Sequence, residues 1–315
     1  MPTDPAPPLA LVGPTASGKT EASILIAERL GAEIVSIDPA LVYRGMDAWT
    51  GKPTAEQRAR VRHHLIDLAD PTGPSSVAEF QRLAYAAMAD IAGRGRRSLL
   101  VGASGLYYRA VVDRLEFPGT DPATRRVLEA EASMLGSTAL HTRLQEFDPE
   151  AAARIEPANA RRTIRALEVA AITGRPFSDF HRAWADYPAD TVRAAGVHVE
   201  RGALTRRIEV RARTLWPELV EETERLLERG FDPFLTSAHI IGYAEATAHI
   251  RGDLPAEQAV ARIVKRDRAL ARRQLAWFRR DPRIRWFEAG EDGAAAIAES
   301  LAGYLGESAH RTVEV

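Results

Sequence analysis

Residues Gly13-Pro14-Thr15-Ala16-Ser17-Gly18-Lys19-Thr20 match the pattern Gly-x-x-x-x-Gly-Lys-[Ser/Thr] of a phosphate-cradling loop. Backbone N–H groups of such a loop, and of the helix it opens, point at an anion. Lys19 adds a point charge, and the Thr20 hydroxyl can sit on Mg²⁺. The default ligand is ATP or GTP, but any chelated diphosphate or triphosphate fits the same cradle. The second candidate is Asp38. As a general base it would take a proton from an attacking nucleophile. As a residue preceding Pro39 it could equally be a turn or cap. His63 and His64 have no partner at ligand spacing and read as packing or backbone-bonded groups. The chain has no cysteine, so disulfides, thiolate metal sites and a cysteine nucleophile are excluded.

The elements that must position these groups follow from the apolar pattern. Leu9 to Val12 is a short apolar run that predicts a buried strand. Thr20 to Leu30 has helical spacing and ends at Gly31, a C-cap. Glu33 to Ile37 and Ser98 to Val101 predict two more strands, the first leading into Asp38 and the second into Gly102-Ala103-Ser104-Gly105. In a parallel sheet these turns share the carboxyl edge, where ligands bind. From about 121 to 190 helical periodicity dominates, over Val127–Leu135, Ala139–Phe147, Ala151–Ile155 and Ala160–Ile172. Gly196 to Glu200 predicts a returning strand, Thr205 to Trp277 is helical, and the tail ends in one helix. The expected fold is α/β: a P-loop core with a mainly parallel sheet plus a helical insertion domain. The core comprises residues 1–120 and 191–315, and the insertion 121–190.

Net charge is −1 over 315 residues, so bulk charge gives no sign of a polyanionic partner. Its distribution does. Between Ala261 and Trp286 lie ten cations (Arg262, Lys265, Arg266, Arg268, Arg272, Arg273, Arg279, Arg280, Arg283 and Arg285) against Asp267 and Asp281. An ordinary solvated helix face balances its signs; this excess, with Trp277, Phe278 and Trp286 among it, suits phosphates and stacked bases. Arg154, Arg161, Arg162 and Arg165 form a second group. Only Lys19, Lys52 and Lys265 among the 42 basic residues are lysine. The Pro-rich start, Met1 to Pro8, does not read as a signal peptide, and no apolar run is long enough to span a bilayer. A cytoplasmic monomer without membrane contact is expected.

Asp38-Pro39-Ala40-Leu41-Val42-Tyr43-Arg44-Gly45-Met46-Asp47 with Thr50-Gly51-Lys52-Pro53 resembles a block of the bacterial tRNA dimethylallyltransferases. Further matches are His63-His64-Leu65-Ile66-Asp67, Val101 to Tyr107, Asp148 to Ile155, Arg161 to Val169, Thr173-Gly174-Arg175-Pro176, Ile241-Gly242-Tyr243 and Arg272 to Arg279. They run in family order from about residue 9 to 288. The resemblance implies transfer of a five-carbon isoprenoid from dimethylallyl diphosphate to N6 of the adenosine 3′ of the tRNA anticodon. It implies Mg²⁺ at Thr20 and the donor diphosphate on Gly13 to Thr20. Asp38 would be the base, Ser104 (usually Thr in the family) a hydroxyl near the reacting atoms, and Arg207 the cation on the leaving diphosphate. Asp38, Pro39, Ala40, Leu41, Arg161, Arg162, Thr163, Ile164 and Arg165 match segments that contact the anticodon stem-loop. Arg272, Arg273, Gln274, Trp277 and Arg279 belong to the basic stretch that would hold tRNA. Pro39 stands where the family has Ser, Ala103 where it has Gly, and Trp49, the largest departure, where it has Gly. A small-molecule kinase would use the loop and Asp38 but leaves both basic groups unexplained; a non-catalytic RNA-binding protein leaves Ser104 and Arg207 unexplained.

Overall fold

The computed structural model describes residues 7–73, 76–182, 184–232, 235 and 237–307. The start of the Pro-rich segment and the tail past 307 lie outside them. The chain forms two compact units, one from residues 1–113 and 189–315, the other from 114–188.

The larger unit is a three-layer α/β/α structure. Its six strands are β1 (Leu9–Val12), β2 (Ala32–Ser36), β3 (His63–His64), β4 (Arg97–Gly102), β5 (Arg193–Val199) and β6 (Ile284–Ala289). They pair in the order β3-β2-β4-β1-β5-β6, every pair parallel. A parallel sheet covered on both faces needs apolar residues on both, which is why β1 reads Leu-Ala-Leu-Val with all four buried. Alternation then splits the core. Ala10, Val12, Val35, Ile37 and Leu100 face one layer; Leu9, Leu11, Ile34 and Leu99 face the other. The first layer is α3 (Val77–Gly93), α4 (Gly105–Val112), α10 (Arg201–Glu228), α11 (Tyr243–Ile250) and α12 (Ala256–Phe278); the second is α1 (Lys19–Leu30) and α13 (Ala298–Gly306). A short helix α2 (Ala55–Arg60) starts with a Thr54/Gln57 capping box.

Two strands were not visible in the apolar pattern. β3 has two residues, too few for a period. β6 begins within the basic stretch, so Ala261 to Trp286 is not one helix: α12 ends at Phe278 and the chain turns back into the sheet. The strand expected from Gly196 begins three residues earlier, at Arg193. Gly196 itself is a packing glycine, since a Cβ there would meet Ile284 and Trp286 at 2.7 Å.

The smaller unit holds α5 (Pro122–Leu135), α6 (Ser137–Phe147), α7 (Pro149–Arg154), α8 (Ala160–Thr173) and α9 (Phe177–Arg182). Asp121, Asp148 and Asn159 cap three of them with their side chains, and Pro122 and Pro149 occupy first turns. Their apolar faces meet around Leu128, Leu140, Leu144, Ile155 and Leu167.

Candidate active site

The parallel register brings three turns to one edge. Val12 pairs with Gly102 and Ser36 with Val101, so the loops after β1, β4 and β2 leave the sheet side by side. Ile37 continues the alignment by donating its N–H to Val101 O at 2.9 Å. Gly102 permits the approach: a Cβ there would lie 2.8 Å from the Ile37 backbone.

The loop after β1 wraps with φ +61° at Ala16 and +85° at Gly18, the residue that opens α1. Gly13 lies against Val197 O, 2.9 Å from where a Cβ would be. Ser17 is fully buried. The Lys19 ammonium folds over the loop and donates to Pro14 O (2.6 Å) and Ser17 Oγ (3.2 Å). Burial lowers its pKa to about 8, against the attraction of Asp38 and with a further push from Arg211. Thr20 stands in the first turn of α1, and among the described residues its hydroxyl takes no side-chain hydrogen bond. The Thr20 hydroxyl oxygen would be a ligand for Mg²⁺, while the backbone N–H groups and the ammonium beside it would hold the anionic diphosphate that the ion accompanies. No group of three or more His, Asp or Glu among the described residues forms a separate metal cage.

Asp38 lies two residues beyond β2. Its Oδ1 accepts from Ala40 N–H at 3.0 Å, the turn geometry that residue type also allowed. Burial raises its pKa, opposed by that bond and by Lys19 and Arg211. Ser104 stands at the N-terminus of α4 but makes no capping bond, and it lines the same cleft as Asp38. That cleft has a volume of about 650 Å³ and lies wholly in the larger unit. Thr15, Pro39, Ala40, Arg273, Gln274 and Trp277 also line it. Gln274 accepts the Thr15 N–H at 2.9 Å and so ties α12 to the phosphate loop. Trp277 lies on Gly105, where a Cβ would strike its ring at 2.1 Å. Leu41 is not on the wall; its backbone carbonyl holds the Asp67 N–H.

Two arginines one helical turn apart on α10 reach the loop. Arg207 sits beside Gly18, its guanidinium 3.9 Å from a Cβ position there, and bonds Glu291 O. It packs over Gly293 so closely that a Cβ would lie 2.5 Å away. Arg211 was overlooked at the sequence level although it ends the run Arg206-Arg207-Ile208-Glu209-Val210-Arg211. Its guanidinium lies 5.1 Å from the centre of the Trp49 ring, donates to Trp49 O and reaches Thr15 Oγ1 at 3.5 Å. It interacts electrostatically with both Asp38 and Lys19. Spacing of four from Arg207 was the available signal. Trp49 itself is buried, lodged against Gly242 and on the cleft wall.

The nucleic-acid candidates divide. Arg262, Lys265, Arg272, Arg273, Arg279 and Arg280 are exposed on or just beyond α12, with Arg279 reaching His198 Nε2 at 3.4 Å. Arg283 is not part of such a surface: its side chain is 7% exposed and bonds Asp113, Asp281 and Thr191. Within α8, Arg161 and Arg162 are exposed, whereas Thr163 and Ile164 face the core of the smaller unit, because a helix turns two of every four residues inward. Their side chains cannot meet a ligand there. Arg165 is held by Gly119 O, Pro118 O and Glu168, so it braces the segment before α5. His63 bonds Val61 O and His64 bonds Glu33, both at 2.7 Å.

Comparison with known proteins agrees with this geometry. The family model described as IPP transferase matches residues 41–281, and one described as isopentenyl transferase matches 9–72. The tRNA dimethylallyltransferase of Salinispora tropica is 45% identical over 92% of this chain and 90% of its own length. That of Nocardioides sp. is 46% identical over 94% and 95%. The crystal structure of the full-length tRNA isopentenylpyrophosphate transferase from Bacillus halodurans superposes with a TM-score of 0.67 at 38% identity, over 95% of this chain and 96% of that one. A eukaryotic dimethylallyltransferase acting on tRNA shares the fold, with a TM-score of 0.75 at 21% identity over 90% and 74%. With a phosphate loop, an acidic turn and a hydroxyl turn on one parallel-sheet edge, and relatives matching across nearly its whole length, the chain belongs to the IPP transferase family.

Proposed function

We infer that the protein transfers the dimethylallyl group of dimethylallyl diphosphate to N6 of the adenosine 3′ of the anticodon in tRNA, releasing diphosphate. The observation that carries the reading is the meeting of the phosphate loop, Asp38 and Ser104 at one cleft. The relatives' activity supports the same reaction here.

The donor diphosphate would lie on Gly13 to Thr20, with Lys19, Arg207 and Arg211 taking its charge. Thr20 would hold Mg²⁺, which when bound neutralises the diphosphate further and makes it a better leaving group. In the transfer the bond between the allylic carbon and the diphosphate oxygen breaks and the N6–carbon bond forms. The proton lost from N6 goes to Asp38. Asp38 also fixes the direction of the weakly nucleophilic amine, a positioning effect. The exposed arginines of α12, and Arg161 and Arg162, would bind tRNA phosphates, and that binding offsets the few kcal/mol of unstacking the target base. The arrangement leaves ATP no role, since the donor already carries its leaving group.

Purified protein with Mg²⁺, dimethylallyl diphosphate and unmodified tRNA is expected to yield N6-dimethylallyladenosine, read by mass spectrometry of nuclease digests, without ATP. ATP turnover on a small acceptor with tRNA left unmodified would replace this reading by a kinase.

A further inference from the structure

We propose that Asp267 recognises the acceptor nucleoside, its carboxylate accepting a hydrogen bond from an N–H or O–H group of the adenosine in the cleft. The proposal rests on the transferase reading above. Asp267 lies in the middle of α12, is 3% exposed, and lines the cleft. Among the described residues neither a hydrogen bond nor an ion pair reaches its oxygens. The cations that act on it do so through space and are engaged elsewhere: Arg211 with Trp49 O, Arg266 with Glu245.

A carboxylate this buried, its oxygens open only to the cleft and given no donor by the described residues, is costly, and native proteins keep few such groups. A ligand that brings the missing donor explains its retention. The prenyl donor cannot be that ligand, because its alkyl chain has no polar hydrogen and its diphosphate is anionic. An adenosine has suitable groups: two hydrogens on N6, of which Asp38 takes one, and the ribose hydroxyls. Leu270, Arg273 and Trp277 line the cleft from the same helix, giving apolar and planar surfaces next to the carboxylate. Burial lifts the Asp267 pKa to about 6, with Glu245 adding to the rise, and Arg211 and Arg266 restrain it. At neutral pH the group is therefore mostly an ionised acceptor.

The test uses Asp267→Ala and Asp267→Asn in the full chain. Probes are an anticodon stem-loop carrying the target adenosine, the same stem-loop with 2′-deoxyadenosine there, and one with purine riboside, which lacks the amino group. Asp267→Ala is expected to weaken stem-loop binding roughly ten- to a hundredfold, the size of a charged hydrogen bond. KM for dimethylallyl diphosphate should stay within about twofold, and Asp267→Asn should recover part of the loss through its amide oxygen. The loss should be non-additive with the analogue that lacks the bonded group: 2′-deoxyadenosine for a ribose hydroxyl, purine riboside for the amine. Both variants should also melt above the wild type at pH 7.5. The folded carboxyl keeps its proton up to about pH 6, whereas in the unfolded chain it ionises near 3.8. The cost of the charge therefore grows between those values and is complete at 7.5.

Lower melting with KM raised for both substrates would make Asp267 a prop for Arg211 and overturn the proposal. So would unchanged stem-loop affinity, additivity with both analogues, or a shifted Mg²⁺ requirement. If wild-type protein forms no prenylated product, the transferase reading fails instead, and the stem-loop binding arms still decide Asp267.

Discussion

Lys19 and Asp38 are each perturbed by burial and each steadied by the other. The consequence for binding is directional. An ammonium with a pKa lowered to about 8 carries its charge at neutral pH and loses it as pH rises through that value. KM for dimethylallyl diphosphate is therefore expected to be level below about pH 8 and to climb above it; a level profile to pH 9.5 would show that Lys19 does not titrate in this range. In the proposed reaction Asp38 serves the acceptor side. Asp38→Asn removes the proton acceptor but keeps the bond from Ala40 N–H, so turnover should fall by roughly 10²–10⁴ while stem-loop affinity changes far less. Single-turnover rates within a few-fold of wild type would reduce Asp38 to the turn residue its Ala40 bond already makes it. The bulky Trp49 ring does not block Arg211 but carries it, with guanidinium and indole 5.1 Å apart.

At the scale of elements, α12 serves three surfaces at once. Ala259, Ile263, Ala271 and Phe278 pack into the core, Asp267, Arg273, Gln274 and Trp277 line the cleft, and Arg262, Lys265 and Arg272 face solvent. A 23-residue helix makes more than six turns, enough to present a separate row to each. Neutralising Arg272, Arg273 and Arg279 together should weaken tRNA binding and flatten its salt dependence, each lost phosphate contact lowering the log–log slope by just under about one unit. An unchanged slope would mean that these arginines only solvate the helix. Arg283 should not affect that slope, because it is no longer on the helix and its charge is spent internally.

For the whole molecule, the notable device is a buried ion cluster where the chain leaves and re-enters the larger unit. Arg283 bonds Asp113, the last residue of the first segment, and Thr191, near the start of the second, at 2.5 and 2.7 Å. Asp281 and Arg109 complete it. Truncating one member leaves opposite charges buried without full compensation, which typically costs 3–5 kcal/mol. Arg283→Ala is expected to lose about 3 kcal/mol, the lower end, because Arg109 remains beside Asp113. Urea unfolding measures it; a loss below about 1 kcal/mol, the range of exposed pairs, would show that water enters the cluster. The described residues contain no helix long and apolar enough to cross a membrane.

Local rules fixed what depended on neighbours in the chain. The phosphate loop, the Gly31 cap, the apolar strands β1, β2 and β4 and the helices from 122 to 173 were legible because glycines, caps and periodicity act within a few residues. Matched blocks of sequence likewise pointed to the family. Only the tertiary structure decided which charges are free. Arg283 and Arg272 look alike in one basic run, yet one closes a buried cluster and the other faces water, because α12 ends at Phe278, between them, and the chain turns back toward the sheet. Arg207 and Arg211 lie four residues apart on α10, but only the packing of α10 on the loops separates the arginine beside Gly18 from the one beside Trp49. Asp267, counted along the chain, merely offsets a neighbouring arginine. Its burial in a cleft wall, with no hydrogen-bond donor on it among the described residues, arises from helices and strands distant in sequence, and no pattern of adjacent residues encodes it.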